Sequence, residues 1–384
     1  MMHACGKASP LVSSPPTDTP PVGLYFHIPF CNGKCPYCDF YSIRPSDETL
    51  DGYLSTLLSE MTWYPNVTAD TIYLGGGTPP LLGAERLETL LREAQCRFSV
   101  PDTAEITIEA NPGSVTPPLL SRLRKAGANR LSFGVQSGVE SELQALGRRH
   151  SVLDTQTAVQ MAREAGFANL SADLMLGIPG QTPASLARSI DFLCSLEVTH
   201  ISAYLLKIES GTPFDREGIL TRCPDEDAAA ALYLQAVEQL AAHGYRQYEI
   251  SNFARPGFES RHNLKYWNCD AYIGFGPAAH SYFGGRRFSH GRDLAAYIAS
   301  DGMEQTVTDD HPGSFEEYAM LRLRLADGLV LDGLKDRFDV DPEPLLRRAQ
   351  PYAKAGLLTA DRHHIALTPS GFLLSNALIA KLVL

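Results

Sequence analysis

Three cysteines in one short segment carry the most specific chemistry of the chain: Cys31-Asn-Gly-Lys-Cys35-Pro-Tyr-Cys38. Thiols spaced by three and then two residues can curl around one inorganic centre, with Gly33 supplying permissive backbone and Pro36 stiffening the turn. Two centres suit such donors. A structural zinc ion prefers four protein ligands. The nearest extra donor, His27, lies four residues upstream on a predicted strand, a poor position for a fourth ligand. A four-iron cubane held by three thiolates leaves one iron open, as a catalytic site requires. The other five cysteines, Cys5, Cys96, Cys194, Cys223 and Cys269, are scattered singly. In a reducing compartment a cluster of three points to metal or catalysis rather than to disulfides.

The elements that must position these thiols are legible in the patterning. Short apolar runs at 23–28, 71–76, 105–110, 130–135, 170–176 and 200–206 read as strands. Between them lie stretches with apolar residues near i, i+3, i+4 and i+7, the helical period. Glycine-rich turns follow the strands: GGGTPP, NPGS, QSG and GIPGQTP. Strands alternating with helices imply a parallel sheet of βα units, and the C-terminal strand ends of such folds carry the site. The expected fold is α/β: a partial, open (β/α)6 barrel over residues 22–215. A closed eight-stranded barrel is disfavoured, because two further βα units are not evident after Leu206. Residues 1–21, rich in Pro, Ser and Thr, read as a disordered lead-in. Residues 216–305 read as a helical, aromatic-rich extension containing His262-Asn-Leu-Lys-Tyr-Trp267. Residues 306–384 read as a mostly helical C-terminal domain, winged-helix-like in its order of helices followed by a small strand pair.

Composition narrows the function classes. The chain has 384 residues, with 33 Lys+Arg against 44 Asp+Glu and a formal charge of −11. That length buries a full core without disulfides. The acidic balance and the lack of a basic stripe argue against nucleic acid. No apolar run reaches the ~18–20 residues of a membrane span, and the N-terminus lacks the apolar stretch of a secretory signal. A cytoplasmic location is expected.

CxxxCxxC after the first strand, followed by Gly75-Gly76-Gly77-Thr78-Pro79 after the second, resembles the radical S-adenosylmethionine family. That resemblance implies a [4Fe–4S] cluster on Cys31, Cys35 and Cys38. It also implies S-adenosylmethionine chelated to the open iron and cleaved to a 5′-deoxyadenosyl radical; the cofactor supplies the hard chemistry and the protein positions it. Further segments, EANPGS (109–114), GVQS (134–137), GRRH (147–150), DLMLGIPGQT (173–182) and HNLKYW (262–267), are similar to the oxygen-independent coproporphyrinogen III oxidase group. By motif position, the resemblance assigns Tyr25, Tyr37, Gly76, Gly77, Thr78, Glu109, Gln136, Arg148 and Asp173 as S-adenosylmethionine contacts, with Lys207 contributing its backbone. Arg148 is suited to the methionine carboxylate, Gln136 and Asp173 to the ribose, and Glu109 to the amino group or to orienting Arg148. No catalytic residue is assigned.

One departure selects a branch. The oxidases carry a fourth cysteine two residues past the third, where this chain has Phe40. With HNLKYW, this resembles the HemW-type haem chaperones, which bind haem and pass it to apo-acceptors such as respiratory cytochromes. His262 then stands as a haem ligand, with Arg261 and Lys265 for propionates and Tyr266 and Trp267 for the macrocycle. The alternative is that the aromatics simply pack the interdomain core, and that His280 is an ordinary surface or core histidine. Peripheral contact with a membrane surface and pairing of two chains complete the expected partners. The competing activity is radical decarboxylation of coproporphyrinogen III to protoporphyrinogen IX.

Overall fold

Side-chain alternation builds the barrel wall. In β1 (Val22–Ile28) the apolar Leu24, Phe26 and Ile28 point one way, and Tyr25 and His27 the other. The same alternation recurs in β2 (Ala69–Gly76), β3 (Glu105–Ala110), β4 (Arg130–Gln136), β5 (Asn169–Leu176) and β6 (His200–Leu205). Ile72, Leu74, Ile108, Leu131, Phe133, Leu174 and Ile201 are buried in the hydrophobic core. Tyr73, Glu109, Arg130, Ser132, Gln136, Asp173, His200, Ser202 and Tyr204 face a polar lumen. The computed structural model describes residues 20–383; all but the last two residues of the expected lead-in lie outside them.

β1 to β6 are parallel and adjacent in chain order, as expected. Intervening helices start at side-chain caps on Ser46, Thr116, Ser151 and Thr182, each worth about 1 kcal/mol. The sheet does not stop at six strands. Segment 216–305, expected as helical and aromatic-rich, also holds β7 (Arg246–Gln247), β8 (Asn252–Ala254), β9 (Tyr272–Phe275), β10 (His280–Phe283) and β11 (Arg286–His290), and β12 (Gln305–Asp309) follows. The sheet runs β12-β11-β10-β9-β1-β2-β3-β4-β5-β6-β8-β7, and its two ends do not pair, so the barrel is open. β9 lies parallel beside β1, with Gly23 opposite Tyr272, and Phe26 stacks on Phe275 at 4.9 Å between ring centroids.

A buried polar staple fixes this added layer. Glu60, fully buried at the end of helix Asp47–Glu60, accepts from the Tyr297 hydroxyl and lies 2.7 Å from His290 Nε2. Beyond it, helix Phe315–Arg322, β13 (Leu329–Val330), helices Leu334–Phe338 and Glu343–Lys354, and the hairpin β14 (Leu358–Ala360) and β15 (His364–Leu367) follow the winged-helix order. Backbone bonds from Ile250 N to Arg324 O and from Ala326 N to Tyr248 O, both 2.9 Å, tie this unit to the barrel.

Candidate cluster and cofactor site at the barrel rim

The three cysteines lie on a loop closed at its base. Cys31 N donates to Ile43 O at 2.9 Å and Ile43 N to Pro29 O at 2.8 Å, so residues 31–42 form one excursion beyond β1. Cys38 N donates to Cys35 O at 3.0 Å, the turn that Pro36 stiffens. The added strands support the loop from outside: Tyr41 OH accepts from Leu294 N at 2.8 Å, and Arg292 pairs with Asp39 at 3.3 Å. All three thiols are free, half-buried and line one cavity. Burial pushes the Cys38 thiol up, a cost that a bound metal's charge would reverse. Gly33 lies against the exposed Arg149 guanidinium: a Cβ there would sit 2.0 Å from Nη2, and the arginine side chain would have to move aside. His27, the fourth donor a zinc site would need, is committed elsewhere. Its Nδ1 is 3.1 Å from Tyr25 OH and its Nε2 is 3.0 Å from Tyr41 O.

The glycine turn after β2 docks directly under this loop. Gly77 N donates to Ile28 O at 2.9 Å and Thr78 N to Phe30 O at 2.8 Å. A Cβ on Gly77 would lie 2.6 Å from Phe30 O; Gly76 has φ +102°, and its Cβ would strike the His27 ring at 2.5 Å. Glu109 accepts from Gly76 N at 3.0 Å and from Tyr73 OH at 2.7 Å, which pins the turn to the barrel wall. Glu109 does not orient Arg148, as the sequence reading allowed. That work falls to Asn111 Oδ1, 2.6 Å from Arg148 Nη2, together with the Gly134 carbonyl at 2.5 Å. The other arm of the guanidinium points along the cluster loop, 3.6 Å from Cys35 Sγ and 3.3 Å from Tyr37 OH. Arg148 Nε is buried without a partner.

Gln136, at φ +72°, holds a backbone conformation rare for a residue with a side chain. It presents Oε1 to Tyr204 OH at 2.9 Å. Burial, aided by the charge of Glu109, pushes Asp173 from the ordinary 3.8 up to about 7. Glu109 is raised mainly by burial as well. These groups share a cavity of about 1220 Å³. Cys31, Cys35, Cys38, Tyr37, Gly76, Gly77, Thr78, Glu109, Gln136, Arg148, Asp173 and Lys207 all line it. Lys207 turns its side chain outward to Glu209 at 2.7 Å. Tyr25 is absent from the lining and hydrogen-bonds within the barrel wall. Phe40, in the place of the oxidases' fourth cysteine, lines the cavity mouth and is 65% exposed. The donor set fits the expected groups: three thiols outside any disulfide for a cluster, and beside them an arginine with an unpartnered buried N–H for a carboxylate.

The structure places His262 apart from this group. Its ring is 1% exposed and lies outside the cavity lining. Nδ1 is 2.8 Å from Thr71 Oγ1, and Nε2 is 2.8 Å from Tyr266 OH. Both ring nitrogens are engaged within the chain and the ring has no exposed face. Burial, together with the charges of Lys265 and Arg130, pulls it down to about 3, so it stays neutral. Lys265 is likewise spent on Asp70 at 2.8 Å and on Pro21 O at 2.8 Å. His280 is exposed on β10. Three residues of the site were not assigned from sequence: Asn111, Tyr73 and Tyr204. Asn111 stood inside a quoted motif, and the two tyrosines share the inward strand register of Glu109 and Gln136; that period-2 signal points to them.

Comparison with known proteins agrees with this arrangement. The Radical SAM superfamily pattern matches residues 25–193, the span that carries the thiols and the rim, and the HemN C-terminal domain pattern matches residues 312–374. The structure of coproporphyrinogen III oxidase (HemN) from Escherichia coli superposes with a TM-score of 0.82 at 23% identity, covering 95% of this chain and 90% of that one, which establishes a shared fold. "Heme chaperone HemW" of Bacillus subtilis is 37% identical over 369 residues, 92% of this chain and 96% of its own length. The Lactococcus lactis protein of the same name is 33% identical over 371 residues, 95% and 98% of the two lengths. That of Mycobacterium tuberculosis is 36% identical over 388 residues, 96% of each. With relatives of this name 33–37% identical over more than nine-tenths of the chain, and both family patterns matched, the chain belongs to the HemW family of the radical S-adenosylmethionine superfamily.

Proposed function

We propose that the chain is a haem chaperone that carries a [4Fe–4S] cluster, binds S-adenosylmethionine and haem, and hands haem to acceptor apo-proteins such as respiratory cytochromes. The observation that carries this reading is identity of 33–37% over more than nine-tenths of the chain to relatives named as haem chaperones. Phe40 in place of the oxidases' fourth cysteine supports it. Cys31, Cys35 and Cys38 hold the cluster in this reading. Arg148, steered by Asn111, takes the methionine carboxylate; Gln136 and Asp173 face the ribose; Glu109 keeps the glycine turn in place. Bound at such a cluster, S-adenosylmethionine supplies one-electron chemistry. The chain's own contribution is to orient it and to keep water from the reacting end. No helix among the described residues is long and apolar enough to cross a membrane. The reading therefore has the chain working in the cytoplasm and meeting its acceptors at the membrane surface, with pairing of two chains as a further part of it.

The test is an anaerobic titration of the cluster-loaded protein with haem, run beside an assay with coproporphyrinogen III, reductant and S-adenosylmethionine. A shifted Soret band that saturates at fixed stoichiometry, without protoporphyrinogen IX, is the expected result. Formation of protoporphyrinogen IX would overturn the chaperone reading and make the protein an oxidase.

A further inference from the structure

The lumen contains a buried cation that no described residue pairs. Arg130, the first residue of β4, is 2% exposed and lines the same cavity as the cysteines. Its guanidinium forms no hydrogen bond or ion pair with any described residue, and its Nε is buried without a partner. Thr107, its ladder neighbour on β3, is also buried, and its hydroxyl has no partner. Neighbouring polar groups are committed. His200 is bonded through both ring nitrogens, to Ser171 Oγ at 2.7 Å and Tyr248 OH at 2.8 Å. Glu105 accepts from the backbone N–H groups of Arg261 and His262, each at 3.1 Å. Glu109 and Asp173 feel the charge of Arg130 but lie beyond ion-pair distance.

A buried guanidinium without a counter-charge is costly, and its planar fork matches a carboxylate bidentately. We propose that Arg130, with the Thr107 hydroxyl, is a carboxylate-binding site inside the lumen that takes a propionate of the bound tetrapyrrole; this rests on the haem reading above. Two carboxylates could in principle reach the lumen, that of a propionate and that of S-adenosylmethionine. Strand geometry favours the propionate. Four residue steps along β4 lead from Arg130 to Gly134, whose carbonyl accepts from Arg148, roughly 13 Å at the rise of an extended strand. The methionine end is assigned to Arg148, whose Nη2 is held by that carbonyl beside the cysteines.

The experiment titrates the full chain and its Arg130→Gln and Arg130→Lys variants with haem, with haem dimethyl ester and with S-adenosylmethionine. Wild type is expected to prefer the free acid to the diester. Arg130→Gln should bind haem at least about ten-fold more weakly, the low end for loss of a charge-assisted contact. It should bind the diester as wild type does, and Arg130→Lys should recover part of the loss. Without ligand, Arg130→Gln should melt no lower than wild type, because it removes an unpaired buried charge, so weaker binding cannot be ascribed to misfolding. Wild-type haem affinity and free-acid preference in Arg130→Gln would overturn the proposal. Weakened S-adenosylmethionine binding with haem binding intact would overturn it in favour of the methionine carboxylate. Failure of wild type to bind haem or its diester would instead sink the haem reading on which the proposal stands.

Discussion

The rim and the floor of one lumen are built from the same kinds of residue and differ in how those residues are spent. At the floor, His200 has both ring nitrogens hydrogen-bonded by other parts of the chain, and in the wall behind it His262 has both ring nitrogens and Glu105 both carboxylate oxygens so engaged. At the rim, three thiols are outside any disulfide and make at most weak sulfur hydrogen bonds, and a guanidinium keeps one N–H unpartnered. Polarity inside a barrel is therefore a poor guide to ligand binding, and incomplete satisfaction is a better one. By that measure Arg130 belongs with the rim, although it sits at the floor.

The comparison breaks most sharply at the thiols. Replacing Cys31, Cys35 or Cys38 by Ala should abolish iron and sulfide incorporation and the broad visible absorbance after anaerobic reconstitution. Cys194→Ala and Cys269→Ala should load normally; loss of the cluster in either would refute the rim assignment. Next in size is His262→Ala, which strands the Thr71 and Tyr266 hydroxyls. It should cost about 2–4 kcal/mol in denaturant melts, from one to two buried polar groups left unsatisfied. A variant that weakens haem binding while keeping wild-type stability would put His262 back among the ligands.

A smaller change is expected at Arg148. Arg148→Ala should weaken S-adenosylmethionine binding by about 1.5–3 kcal/mol, the range for a hydrogen bond to a charged group, with cluster absorbance retained; calorimetry on loaded protein measures it. The smallest effect is pH-dependent. Because Asp173 rises from 3.8 to about 7 on folding, the folded state holds its proton more tightly than the unfolded state, and stability falls as pH climbs between those values. Asp173→Asn removes that loss. Its stability relative to wild type should be near parity at pH 4 and should grow by about 1–2 kcal/mol by pH 8, the lumen's water screening the rest. A constant difference across that range would mean that Asp173 is ionised throughout.

These contrasts mark what the sequence could disclose. β1 to β6 were legible to within two residues, because long alternating runs ended at Gly- and Pro-rich turns. β7 to β12 were not. They are two to five residues long, and β9 finds its place only through β1, far away in sequence. The thiols were legible because spacing alone constrains them. The surroundings of His262 were not legible, because nothing in HNLKYW reveals that Thr71, 191 residues earlier, would take one of its nitrogens. Arg130 escaped notice for the mirror reason: an arginine opening a strand looks ordinary until every neighbour proves to be engaged elsewhere.

The placement of β9 beside β1 also sets a clock. About 250 residues separate the two strands, so a ribosome adding roughly 5–20 residues each second leaves β1 without its second neighbour for some 12–50 s. During that interval one backbone edge of β1 stands open, with Leu24 and Phe26 beside it and the future cluster loop at its end. An open apolar edge is a template for pairing with another chain. The nascent protein therefore passes through a period of aggregation risk that ends only when Tyr272–Phe275 arrives, and synthesis rate becomes a determinant of how much of it folds.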